Sequence, residues 1–185
     1  EWNIDKRRIA ATGTSAGACS SLYLALHDDL ADPDSADPVA RESTRLRCAA
    51  VDRAQTSLDP AQLREWTPNS RYGGHAFGFM DPRDLTTRDT RFAEFLARRE
   101  EVLPWIRSYS PYELVSPDDP PLYLSYREAP ALGQHQKDPT HTSNYGVKFQ
   151  ERCRGAGVSC EFFYPGAPGA RHGSCAEFLI GTLKN

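Results

Sequence analysis

Short apolar runs alternate along this chain with longer stretches in which apolar residues recur at helical spacing. Arg8-Ile9-Ala10-Ala11-Thr12 is the first run and predicts a strand. Ala16 through Leu30 follows at once, with Ala18, Cys19, Leu22, Tyr23, Ala25 and Leu26 apolar on nearly every face, as in a buried helix. Glu1 to Arg7 reads as the tail of a longer element, since Trp2 and Ile4 have nothing before them to pack on. Asp28 to Pro38 is rich in Asp, Pro and Ser and predicts a surface loop. A second strand spans Leu46 to Val51 and ends at Asp52. Asp59-Pro60 opens a helix, as N-cap and first-turn proline, that carries Leu63 and Trp66 on one face. Residues 67–90 are irregular, Phe92, Phe95 and Leu96 mark a short helix, and Ser110-Pro111-Tyr112 starts another turn. Residues 54–116 together predict a small helical insertion between two strands.

Pro121 to Tyr126 is the third strand, and Arg127 to Thr142 a polar loop. Tyr145, Phe149, Cys153 and Ala156 then share a helical face, ended by Gly155 and Gly157. Val158 to Tyr164 is the fourth strand. A Gly/Pro/Ala loop carrying Arg171-His172-Gly173 leads to a last amphipathic helix with Ala176, Leu179, Ile180 and Leu183 together. Strands that alternate with helices predict a parallel α/β sheet in a single domain over residues 1–185. Reactive groups in such sheets collect at the carboxyl ends of the strands, and the loops holding Ser15, Asp138 and His172 are assigned to those ends.

Composition narrows this picture without redirecting it. At 185 residues the chain has enough length for a sizeable core, and its net charge of −3 provides no basic stripe for nucleic acid. No apolar run approaches the length of a membrane span. Five cysteines (Cys19, Cys48, Cys153, Cys160, Cys175) form no C-x-x-C and cannot all pair. They read as buried free thiols, with a Cys153–Cys160 or Cys160–Cys175 disulfide as the alternative.

The chemistry concentrates at Gly13-Thr14-Ser15-Ala16-Gly17, a G-x-S-x-G between the first strand and the first helix. A strand that turns directly into a helix needs a strained turn almost free of side chains, and the turn pushes Ser15 into the open. The helix N-terminus aims unpaired N–H groups at any negative charge formed beside it, so the Ala16 amide is a candidate oxyanion donor. A serine hydroxyl becomes a nucleophile when a base takes its proton and a third group fixes the base's tautomer. Ser15, Asp138 and His172 follow the order of nucleophile, acid and histidine expected after such a turn. The bland alternatives are a surface-loop histidine at 172 and an N-cap at Asp138, with Glu128 and Asp52 as other candidate acids. His135, Asp138 and His141 are rejected as a metal set, because their spacing would smear them around a helix that Pro139 interrupts. No cofactor is called for.

The run from Arg8 to Ala18 resembles the G-x-S-A-G elbow of α/β-hydrolase esterases, especially those similar to hormone-sensitive lipase and bacterial carboxylesterases. Ser110-Pro111 and Asp118-Asp119-Pro120-Pro121 before a strand look like that family's approach to its acid-bearing strand. Gly157 through Tyr164-Pro165-Gly166 to His172-Gly173 is similar to its closing strand and histidine loop. The resemblance covers most of the chain outside residues 54–110. It implies a partial α/β-hydrolase fold and a serine carboxylesterase acting on a small-molecule ester through an acyl-enzyme. In that scheme Ser15 is the nucleophile, His172 the base and Asp138 the acid. Peptidases of this fold usually carry two glycines after the serine's neighbour, where this elbow reads Ser-Ala-Gly-Ala. The elbow ends in Ala18 where many relatives have a second glycine, and the acid loop is longer than usual.

The family normally places several strands and an HGGG-type oxyanion loop before the elbow, and the sequence shows no such loop. Losing one oxyanion donor typically costs roughly 10²–10³ in rate. The expectation is therefore weak catalysis by this chain alone, with the elbow strand's free edge covered by a second copy, an N-terminal piece or rearranged local chain. A hydrolase fragment that acts as a self-assembling or partner-binding module is the alternative reading.

Overall fold

A computed structural model describes residues 3–184. Four strands, β1 (Ala10–Thr14), β2 (Cys48–Asp52), β3 (Leu122–Ser125) and β4 (Cys160–Phe163), form one sheet in the order β1-β2-β3-β4. Every neighbouring pair is parallel, with Ala10 opposite Cys48, Ala49 opposite Leu122 and Leu122 opposite Cys160. Each strand falls within a couple of residues of its predicted run. β1 is shifted toward the elbow and includes Gly13 and Thr14. It lies at one edge of the sheet.

The period of two along each strand sorts side chains onto two layers. Ala49, Val51, Leu122, Leu124 and Phe162 point to one face and are buried against α1 (Ala16–Leu26) and α6 (Asn144–Ala156). Cys48, Ala50 and Tyr123 point to the other, where Phe178 of α7 (Cys175–Lys184) covers them. α1 ends at Leu26, short of the predicted Leu30, and Gly157 in the left-handed conformation (φ 78°) caps α6. Gly155 lies inside that helix. Trp2 is outside the described residues, and Ile4 is exposed.

The insertion between β2 and β3 contains α2 (Pro60–Trp66), a 3₁₀ turn at Gly74–Phe77, α3 (Arg88–Ala97), α4 (Arg99–Tyr109) and the single turn α5 (Pro111–Leu114). It has its own small core of Phe79, Phe92, Phe95, Val102 and Ile106. α4 is absent from the sequence prediction, and Pro104 sits inside it. A proline within a helix removes one backbone bond and normally marks an end. Here Val102 and Ile106 are buried four residues apart, and their packing overrides the break. Asp59 links the insertion's parts. It caps α2 through Ala61 N and holds Arg99 of α4 by two hydrogen bonds of 2.7 and 2.6 Å. All five cysteines are free thiols, and no described helix is long and apolar enough to cross a membrane.

Close approach of α6 to the sheet depends on Gly146. A Cβ there would lie 2.4 Å from the Phe162 ring and 2.5 Å from the Tyr126 ring, and both rings are buried. Gly146→Ala gains roughly 1 kcal/mol of helix propensity and loses about 1–3 kcal/mol to overpacking. The overpacking wins. The variant is expected to melt below wild type in a denaturant titration, by on the order of 1–2 kcal/mol; an unchanged midpoint would show that the rings can yield.

Candidate active site

At the end of β1 the backbone turns sharply, and Ser15 adopts φ 56°, ψ −121°. A non-glycine residue at positive φ is strained, and such strain persists only where neighbours enforce it. Ser15 N donates to Asp52 O at 3.1 Å, carrying the β1–β2 ladder up to the turn itself. Gly13 makes the turn sterically feasible, since a Cβ on it would sit 2.4 Å from the Gly17 carbonyl oxygen. Gly17 is different: a Cβ there meets nothing within 4 Å. Of the two glycines flanking the serine, only Gly13 answers a close contact. Ala16 N is the first amide of α1, so it has no intrahelical acceptor.

The Ser15 hydroxyl meets His141. Ser15 Oγ lies 2.9 Å from His141 Nε2, and His141 Nδ1 lies 2.8 Å from Asp138 Oδ2. The Asp138 carboxylate also accepts from the amides of Thr140 and His141, each at 3.2 Å, so residues 138–141 close into a tight Asp-led turn. Desolvation pushes the Asp138 carboxyl upward. The hydrogen bond and charge of His141 and the two amides outweigh it and hold the carboxyl below its ordinary value of 3.8.

Residues of the insertion pin this loop. Gln55 Nε2 donates to Thr140 O at 3.0 Å, next to His141. Asn69 brackets Gln136, with Nδ2 donating to its carbonyl at 2.8 Å and Oδ1 accepting from its amide at 3.0 Å. Asn144, fully buried, accepts from Ala131 N and donates to Trp66 O and Thr67 Oγ1. Ser143 Oγ donates to Glu128 O. Gln55 Oε1 is left without a hydrogen-bond partner, but the other bonds fix the loop, because each one lost would leave a further expensive unpaired atom.

His172 does not come to Ser15. Its ring Nδ1 is 2.9 Å from Glu161 Oε2, and Glu161 Oε1 accepts from the amides of Arg171 and His172 at 2.7 and 2.6 Å. The His172 carbonyl accepts from Tyr123 Oη at 3.1 Å, and its ring packs edge-on against Phe178. Tyr123 and Glu161 are register partners on the face covered by α7. The loop after β4 therefore runs back along that face, and His172 borders a cleft with Arg47, Pro121 and Ser159, which precede β2, β3 and β4. That is the amino end of the sheet, not the carboxyl end assigned from the sequence.

The other candidate acids are also elsewhere. Asp52 accepts from Ser125 Oγ at 3.0 Å and Arg53 Nε at 2.9 Å. Glu128 borders the cleft beside Asp138, and its backbone carbonyl accepts from Ser143 Oγ. In the sequence His141 figured only in the rejected metal set. The signal that marks it is the pair Asp138-Pro139-Thr140-His141, where proline bars a continuing helix and lets the loop fold back on its own carboxylate.

Desolvation raises the Glu161 carboxyl, and the His172 ring with the two amides more than reverses this, so Glu161 titrates below its ordinary 4.5. A depressed folded value contributes stability that is present above 4.5 and lost as the pH falls through the folded value. Glu161→Gln is accordingly expected to lower the melting temperature at pH 7 and to differ far less from wild type near pH 3. A gap that stays constant with pH would show that the carboxylate's charge is not what holds the loop.

No protein-family model matches the chain, and no curated protein matches it. Solved structures do. A truncated carbohydrate esterase from gut microbiota superposes with a TM-score of 0.61 at 17% identity, over 99% of this chain and 62% of that one. An acetyl ester-xyloside bifunctional hydrolase from Caldicellulosiruptor lactoaceticus gives 0.56 at 21%, over 94% and 49%. The propionate-bound esterase Est2 of Thermogutta terrifontis gives 0.51 at 21%, over 98% and 54%. The chain thus spans about half to three-fifths of the length of these structures. At such identities the likeness speaks for the fold: four parallel strands flanked by helices, a partial α/β-hydrolase fold.

Proposed function

We propose that this chain carries the acylating centre of a serine hydrolase that cleaves carboxylic esters through an acyl-enzyme. The observation that carries the reading is the continuous hydrogen-bonded chain from Ser15 Oγ through His141 to Asp138, set at a strained strand-to-helix turn. Esterases among the structural neighbours agree with it.

In this reaction Ser15 Oγ attacks the ester carbonyl while His141 Nε2 takes its proton. Asp138, bonded to Nδ1, keeps the proton of the neutral ring on that nitrogen, leaving Nε2 free to accept, and stabilises the imidazolium that forms. The Ala16 amide and the α1 N-terminus face the negative charge growing on the carbonyl oxygen. The tetrahedral intermediate collapses by breaking the bond to the alcohol oxygen, which leaves with the proton held by His141. Water then repeats the sequence on the acyl-serine, giving the acid and free Ser15. His141 takes the part of base that chain order had assigned to His172.

The test is p-nitrophenyl acetate hydrolysis by wild type, Ser15→Ala, His141→Ala and His172→Ala, each checked for folding by circular dichroism. Losing the nucleophile or base is expected to remove about 10⁴-fold or more of the turnover above background. His172→Ala is expected to retain most of it. Activity that survives His141→Ala and vanishes with His172→Ala would return the base to the loop after β4. Activity indifferent to Ser15→Ala would end the serine-hydrolase reading.

A further inference from the structure

Two clefts lie near the Ser15–His141 pair, one bordered by Ala16 and the other by His141. One, of about 580 Å³, runs from Ala16 along α1, between Tyr23 and Leu24 on the helix and Tyr72, Phe77 and Tyr109 of the insertion. Tyr23 and Tyr109 stack with centroids 6.1 Å apart. None of the residues lining this cleft is Asp, Glu, Lys or Arg. Leu24 and Tyr109 are 56% and 52% exposed, so an apolar surface lies open beside the nucleophile. The other cleft, of about 460 Å³, contains His141 itself together with Arg127, Gln136 and Lys137 and the carboxylates of Glu128 and Asp138. Arg127 and Lys137 have no ion-pair partner among the described residues.

Proton geometry decides which half of an ester goes where. The leaving oxygen receives its proton from His141 Nε2 and so must depart on the His141 side. The acyl group, whose carbonyl oxygen faces the Ala16 amide, extends to the other side. Resting on the serine-hydrolase reading above, we infer that the substrate is an ester of an aromatic carboxylic acid with a polar, hydrogen-bonding alcohol. The aryl acyl group lies between the Tyr23–Tyr109 stack and Tyr72, and the alcohol faces Arg127, Gln136 and Lys137. Aromatic rings packed face or edge on such walls bind well at small entropic cost, and the open charges opposite favour hydroxyl-bearing groups.

Acylation of Ser15 is measured with p-nitrophenyl acetate and p-nitrophenyl 3-phenylpropanoate, which share a leaving group, after subtracting spontaneous hydrolysis. The p-nitrophenolate freed on acylation is visible as a burst even when deacylation is slow. The phenylpropanoyl ester is expected to acylate at least about tenfold faster, the scale on which an apolar pocket discriminates between acyl groups. Tyr109→Ala, at a half-exposed position, and Ser20→Trp, which fills the cleft from α1, are each expected to pull that ratio toward one. Glyceryl 3-phenylpropanoate is expected to outpace the hexyl ester, with the advantage reduced in Arg127→Ala. Equal or faster acylation by acetate, or a ratio untouched by both cleft variants, overturns the aryl assignment. A hexyl ester hydrolysed as well as the glyceryl ester overturns the polar alcohol. No Ser15-dependent release from any ester overturns the hydrolase reading and this inference with it, whereas Ser15-dependent release at equal rates overturns the inference alone.

Discussion

The turn at Ser15 is the constraint on which the rest of the site depends. It holds a β-bonded serine at positive φ between a strand and a helix, a conformation that costs energy and would relax if its surroundings allowed. Two features prevent that. The β1–β2 ladder is continued through Ser15 N to Asp52 O, and Gly13 lets the first turn of α1 press directly on the strand end. The hydroxyl is thereby presented at the carboxyl end of the sheet. Small residues at the crowded side of the turn follow from this contact, whereas Gly17 faces open space.

The Ser15 hydroxyl is met at hydrogen-bond distance by His141, and the long loop after β3 holds that ring there by polar rather than apolar means. Asp138 folds the loop onto its own backbone, and Gln55, Asn69 and Asn144 tie it to the insertion. The segment between β2 and β3 therefore has two roles in the structure. Its small aromatic core lets it stand as a body beside the sheet, and its side-chain amides at Gln55 and Asn69 hold the loop that carries His141. It also supplies one wall of the aromatic cleft, which makes loop position and cleft shape properties of the same segment.

The opposite face of the sheet is a separate structural problem with its own solution. Glu161 would be an expensive buried carboxylate on β4 if it were unpaired. It is satisfied by two amides and an imidazole from the loop that leads into α7, and Tyr123 Oη completes the arrangement through the His172 carbonyl. The histidine that looks free in the sequence is thus consumed in fastening α7 over Tyr123 and Phe163.

Sequence by itself determined the layered parallel fold, because buried parallel strands read as short apolar runs and their covering helices keep a helical period. It determined the strand-to-helix turn too, since strand, glycine, serine and helix are all local features, and it singled out Asp138, whose carboxylate meets the His141 ring. It did not determine which histidine reaches Ser15, a contact between residues 126 positions apart. Chain order favoured His172, but the side of the sheet on which a loop returns is decided by the period of two at Tyr123 and Glu161 and by the carboxylate's need for partners. Nor could local propensity foresee α4, where Pro104 argues against a helix that burial of Val102 and Ile106 sustains. In both cases the deciding energy comes from contacts between distant parts of the chain, which no local pattern encodes and only the folded structure brings together.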